Sequence, residues 1–298
     1  MKKIGLATAV LLAMTGAHAY QVEVQGQSEH VETQGYDNTW TGDIQGTYYF
    51  KDVDASKGPL AEAAFLNKAS SIALGYHYDK EVQQGKGTRP NFNNQTYGAK
   101  VEGFLPTPYM PVYGSASYYH TDVDGKNYKS ADDRGDRYAL EIGVMPTDNF
   151  LLAAGYTSVA DQYSIDASKA LNYGLLKANG ESRAIGEDQD AITGRAKYVG
   201  NIDNTNMAIA FEVNSVFANG DAAYGASTDL YLTPKFSVGA SFADVSNFGA
   251  SYGAVWGGNV NYFITPAISV GANYVKADAK HGNTADSQSM GLTAKVRF

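Results

Sequence analysis

The residues able to do chemistry fall into three groups. Histidine precedes aspartate by two positions twice, at His77-Tyr78-Asp79 and His120-Thr121-Asp122. A histidine beside a carboxylate is a usable general base. Such pairs at the rim of a membrane barrel would suit a hydrolase, although rim histidines facing water are the plainer reading. The second group is acidic: Asp122, Asp124, Asp132, Asp133 and Asp136 crowd one stretch, and Glu187, Asp188 and Asp190 another. Carboxylates bind calcium or magnesium through oxygen, but this spacing matches no EF-hand and reads as solvated acidic loops. The third group is Glu23, Asp43, Lys100, Glu102, Glu141, Arg195, Lys197, Glu212, Lys295 and Arg297. Each stands between apolar neighbours, so strand alternation would gather them on one face. Such a face could line a wet, charged passage, or its charges could simply pair and fix the strand register.

Other chemistry is missing. The chain holds no phosphate-binding loop, dinucleotide fingerprint or HExxH pair. It has no cysteine, which removes disulfides and thiolate metal sites. No cofactor is expected.

The elements that must position these residues are strands. In the final stretch, Ser287 to Phe298, the residues Met290, Leu292, Ala294, Val296 and Phe298 alternate with Gly291, Thr293, Lys295 and Arg297. That is a period of two, with one apolar and one polar face. The first such stretch begins at Tyr20, with Tyr20, Val22 and Val24 on one face and Gln21, Glu23, Gln25 and Gln27 on the other. Pairing last strand to first would remove both edges, which otherwise need covering.

Between them the pattern repeats. Trp40, Ile44, Tyr48 and Phe50 are expected outward, then Ile72, Leu74, Tyr76 and Tyr78, then Tyr97, Ala99, Val101 and Leu105. Further strands are read over Val112–His120, Arg137–Met145, Phe150–Ser158, Ala191–Val199, Met207–Phe217 and Ser227–Leu232. Three more follow over Phe236–Asp244, Ala254–Phe263 and Ile268–Lys276. Polar loops fill Lys80–Asn94, Thr121–Gly135 and Val159–Gln189, and another runs to Gly225. A repeat, Leu232 to Ala240 against Ile264 to Ala272, restarts one strand after the same Thr-Pro turn. Proline stays at turns, as ladder hydrogen bonding demands. The count is fourteen strands, an even number that places short turns and both termini on one side. Twelve or sixteen would follow if Val112–His120 and Ser227–Leu232 were misread.

Composition agrees. There are 22 tyrosines and 32 glycines, and mean hydropathy is −0.31 despite 44% hydrophobic residues. Apolar residues are thus spread one in two rather than in greasy runs, as in a barrel with an aromatic girdle. The first segment, residues 1–19, has Lys2-Lys3, a short apolar core and Ala17-His18-Ala19. It reads as a cleaved signal peptide, leaving residues 20–298 as the barrel. Later in the chain no run of 18 apolar residues occurs, so a membrane-embedded form must be a barrel. Without the two lysines of the first segment, 21 basic residues face 31 acidic ones. That balance gives no footprint for nucleic acid and suits either acidic surface loops or a cation bias in a channel.

Several stretches carry a resemblance: the leader running into Tyr20, Gly58 to Asn67 (GPLAEAAFLN), Gly155 to Gln162, Thr205 to Glu212, and Asn259 to Val275. Together they resemble the porin family of Acinetobacter outer-membrane channels along the whole chain. The resemblance implies an all-β, transmembrane, antiparallel up-and-down barrel of fourteen strands, with short periplasmic turns and long extracellular loops. It implies a monomer that sits in outer-membrane lipid and passes small hydrophilic solutes and ions, with carbapenems as a further cargo. It also implies a lumen partly closed by inward-folded segments. Val159–Gln189 and the elaborated turn Lys51–Lys68 are the segments expected to fold in. A barrel hydrolase and a plugged structural or adhesin barrel stay open as alternatives.

Overall fold

A computed structural model describes residues 19–85, 91–126, 133–159, 189–218, 221–244, 252–279 and 286–298. Residues 1–18 and residues 160–188, which hold most of the Val159–Gln189 loop, lie outside them, as do His281 and the acids Asp132, Glu187 and Asp188.

Fourteen strands close into one antiparallel barrel, each bonded to its sequence neighbours and the first to the last. They are β1 (Ala19–Thr33), β2 (Thr39–Asp54), β3 (Ser71–Val82), β4 (Asn91–Leu105), β5 (Val112–Lys126), β6 (Asp133–Thr147) and β7 (Phe150–Val159). Then come β8 (Gln189–Asn201), β9 (Ala208–Ala218), β10 (Asp221–Thr233), β11 (Phe236–Asp244), β12 (Tyr252–Thr265), β13 (Ile268–Ala279) and β14 (Ser287–Arg297). The closing ladder pairs Glu23 with Arg297 and Val31 with Ser289. Closure removes both edges of an otherwise open sheet.

Alternation sorts the side chains as the sequence expects. Ile44, Leu74, Leu140, Ile142, Met290 and Leu292 point outward and are exposed. Tyr48, Phe50 and Tyr262 flank this band toward the short turns, and Trp40, Tyr97, Tyr118 and Trp256 flank it toward the loops. An apolar band between aromatic girdles is the outer face of a transmembrane barrel.

Three expectations need correction. Strands run past the apolar band, so much of the polar sequence read as loop is ladder. β5 continues to Lys126, β6 starts at Asp133 and β10 starts at Asp221. Antiparallel hydrogen bonds continue beyond the membrane because they do not depend on apolar side chains. Second, Tyr20 does not share a face with Val22 and Val24. The ladder shifts between Tyr20 and Val22, and that bulge turns Tyr20 inward, where it is buried against Tyr49, Val53 and Ala63. Third, the histidines are not simply rim groups facing water. His77 is 6% exposed and points into the lumen, whereas His120 sits on the outer face in ring contact with Tyr97.

The turn between β2 and β3 is the one helical element of the described residues. A 3-10 turn, Leu60–Glu62, runs into a single α-helical turn, α1 (Ala63–Leu66). Pro59 precedes it with extended backbone, and Asn67 closes it by donating its side-chain amide to the Ala63 carbonyl at 2.7 Å and the Asp54 carbonyl at 2.8 Å.

Candidate functional site

The inner wall has two polar zones at different heights. The lower zone lies near the short turns and holds nine of the ten charged residues expected to line the passage. It is organised around the Leu60–Leu66 segment.

Glu62 is the centre of that zone. Its carboxylate takes a hydrogen bond from the Tyr231 hydroxyl at 2.9 Å and an ion pair from Lys197 Nζ at 2.9 Å. Burial alone would push the Glu62 carboxyl up. The adjacent Lys197 ammonium and the Tyr231 hydroxyl outweigh burial and hold it below the ordinary 4.5. Lys197 also lies 5.0 Å from the Phe65 ring centre, a cation–π contact. Arg195, on the same strand, stands between Glu141 at 3.3 Å and Glu212 at 3.5 Å. The first contact is made by Nη1 and the second by Nε, and both are ion contacts that leave Glu141 Oε1 and Arg195 Nε without an aligned hydrogen bond.

Farther round the wall, Lys100 pairs with Glu102 at 2.8 Å, and the Tyr113 hydroxyl donates to the same carboxylate at 2.8 Å. On the opposite arc Glu23 accepts from Arg297 at 2.8 Å and lies 3.1 Å from Lys295. Arg297 then reaches inward and donates to the Leu60 carbonyl at 2.9 Å. Its guanidinium stacks between the rings of Tyr20 and Phe263. Each carboxylate of this belt therefore faces a basic group.

Apolar contacts finish the seating of the segment. Phe65 packs against the cluster of Phe104, Tyr113, Met145 and Leu151 on one side and, with Ala61 and Leu66, against the cluster of Val199, Ala208, Ala210 and Tyr231 on the other. Ala63 packs on Tyr20, Tyr49 and Val53, and Leu60 on Ala55 and Phe263. The Leu60 amide donates to the Pro234 carbonyl at 2.9 Å. Four alanines and a phenylalanine within ten residues gave the sequence-level signal for this inward turn, because a solvated turn has no need of them.

The upper zone lies toward the loops, and Asp43, the tenth expected residue, belongs there. His77 Nδ1 is 2.8 Å from Asp43 Oδ1 and His77 Nε2 is 3.1 Å from Asp79 Oδ1. Asn94 donates to Asp79 Oδ2 at 2.9 Å. Beside them Glu29, 1% exposed, accepts at Oε1 from Gln27 and, at 3.0 Å, from Asn273. Sequence reasoning missed Glu29, although it shares the parity of Glu23.

From β10 to β14 the wall is of another kind. Above the lower belt its inward positions are mostly small or neutral polar residues, Ser227, Ser241, Asn259, Asn273, Ser289 and glycines among them, with Asp229 as an acid in their midst. Here an asparagine reaches across a glycine to an acid two strands away: Asn273 over Gly291 to Glu29, and Asn259 over Gly239 to Asp229. A Cβ at either glycine would collide with both partners, so the missing side chain is what admits the bond.

On the outer face His120 repeats the His77 arrangement. It is 2.7 Å from Asp136 and 3.3 Å from Asp122. The Tyr118 hydroxyl also donates to Asp136. No group of three metal-ligating side chains converges among the described residues.

The chain is similar to the crystal structure of the outer membrane protein Omp33 of Acinetobacter baumannii. The two are 50% identical, the match covers 94% of this chain and 99% of that one, and the TM-score is 0.69. Two more distant structures show the barrel fold alone at 9% identity. They are the toluene transporter TbuX of Ralstonia pickettii, covering 95% and 91% at TM-score 0.56, and a Pseudomonas aeruginosa FadL homologue, covering 97% and 92% at 0.52. No curated protein sequence matches the chain. The family described as "Putative general bacterial porin" matches residues 1–298, so with its closed barrel and outer-membrane relative this chain belongs to the bacterial porins of the outer membrane.

Proposed function

We propose that this porin is a monomeric, passive channel for small hydrophilic solutes and ions, narrowed at its periplasmic mouth by the Leu60–Leu66 segment. The carrying observation is the reach of that segment. It bonds Arg297 of β14, Lys197 of β8 and Tyr231 of β10, and it packs into apolar clusters drawn from β1 and β2, from β4 to β7, from β8 to β10 and from β12, so it crosses the mouth rather than lying along one wall. A fourteen-strand barrel is otherwise wider than its own side chains fill. The outward apolar band meets membrane lipid, and the ladder leaves no strand edge that asks for a second copy.

No covalent step is proposed. The imidazoles of His77 and His120 each have both ring nitrogens engaged by aspartates. Neither nitrogen is left for a substrate proton, which weighs against the hydrolase alternative. Selectivity then rests on the size and wall charge of the narrowest section.

Single-channel recording of the refolded protein in a planar bilayer tests this reading. Discrete steps are expected, with small unit conductance. Silence at every voltage, from protein shown to be folded, would leave a plugged structural barrel. Carbapenem entry, expected from the family resemblance, is read in the same bilayer as interruption of the ion current.

A further inference from the structure

The upper zone differs from the lower belt in its charge balance. Glu29, Asp43 and Asp79 face the lumen together with one histidine, His77. Glu29 and Asp43 are diagonal neighbours, since Glu29 pairs with Thr41 and Gln27 with Asp43. Among the described inward side chains of β13, β14, β1 and β2 at this height, none is basic. Lys295, the next cation along β14, sits four residues below Gly291 in the lower belt.

The three carboxylates are not equivalent. Asp79 is fully used, with one oxygen on His77 and the other on Asn94. Asp43 takes His77. Glu29 has both its donors on Oε1, while Oε2 is buried without a hydrogen-bond partner. A buried carboxylate oxygen without a donor is costly. Asn273 crosses over Gly291 to hold the other oxygen, and a Cβ added at Gly291 would run into both Asn273 and Glu29.

We propose that Glu29, steered by Asn273 and Gln27 and flanked by Asp43, is a binding station for small monovalent cations in the lumen. The cation takes the place of the missing donor at Oε2, as oxygen ligands replace hydration water in other channels. This rests on the channel reading above and adds to it the ion class and the residue that selects it. The lower belt, with its carboxylates matched by bases, contributes little net field of its own.

Two measurements test the station separately from conduction. The first is the reversal potential in a KCl gradient for wild type and for Glu29→Gln, which keeps the shape and the Oε1 acceptor. Wild type should favour K⁺ over Cl⁻, and the variant should lose that preference by about threefold or more, the scale of one unit charge at contact in a wet lumen. Asp43→Asn, the flanking acid, should shift it in the same direction and by less. The second is anomalous diffraction from crystals soaked in thallium(I), a K⁺ surrogate. A peak is expected at the Glu29 carboxylate and should vanish in Glu29→Gln. Conducting channels whose selectivity ignores both substitutions, with no thallium peak, would overturn the station and leave the channel standing. A thallium peak in a silent barrel would do the reverse. A silent barrel with no peak would overturn both.

Discussion

The two polar zones of the lumen use charge in opposite ways. In the lower belt Glu23, Glu62, Glu102, Glu141 and Glu212 each have a lysine or arginine within 3.5 Å. Two of these bases also reach the Leu60–Leu66 segment and help seat it, Lys197 at Glu62 and Arg297, the second partner of Glu23, at the Leu60 carbonyl, while the other pairs stay within the barrel wall. In the upper zone carboxylates outnumber bases, and amides on β4 and β13 hold them in place. On the proposed reading, paired charge there gives way to charge that acts on a passing cation. The lesson is that a charged inward residue can be structural or selective, and its partner decides which.

The comparison breaks most sharply at Lys197. Lys197→Met should leave Glu62 buried without its cation, at a local cost of about 3–5 kcal/mol. The segment should then loosen, seen as faster protease cleavage near residues 57–68 and as larger or flickering conductance steps. Phe65→Ala removes the ring shared by two apolar clusters. It should cost about 2–3 kcal/mol of seating and shift the same two readouts in the same direction, by less.

Acid should act through Glu62. Its carboxyl is held below 4.5 in the folded chain, so its stabilising contribution is complete above that value. It is lost as pH falls through the lowered folded value. Facing it are Lys197 on β8, Tyr231 on β10 and, at longer range, Lys295 on β14. Protease cleavage near residues 57–68 should therefore stay flat from neutral pH down to about 4.5 and rise only in stronger acid. Glu62→Gln should remove that rise.

Gly291→Ala tests the other wall. The new methyl meets Asn273 and Glu29, so their hydrogen bond should be lost, at about 1 kcal/mol. Cation preference should change with little effect on segment seating. The smallest effect is expected at Lys68→Ala. Lys68 reaches Asp148 at 2.7 Å, but Asp148 is almost wholly exposed, and such surface pairs contribute little. Thermal stability and conductance should stay as in wild type.

Much of this was legible from period two alone. Nearly every inward and outward assignment follows from alternation, because one face meets an apolar environment and the other a wet one. Alternation failed at Tyr20, where the β1–β2 ladder breaks register between the pairs Tyr20–Val53 and Val22–Tyr48, an event with no sequence period. It also misjudged strand ends, since ladders outlast the apolar pattern. At the site, the nine lower charges were readable as a set, but their partners were not. Glu62 lies in a turn, and Lys197 finds it across the barrel. Glu29 was hidden by its neutral surroundings of Gln27, Ser28 and His30, which gave no hint that Asn273, 244 residues away, would hold it.

The most direct test of the account is the unit conductance of the wild-type barrel beside a chain in which residues 58–67 are replaced by a short glycine-serine turn. If the segment sets the narrowest section, the shortened chain should conduct several-fold more than wild type in the same KCl bath, with the barrel still folded. Equal conductance from both chains would contradict the account and place the constriction elsewhere in the lumen.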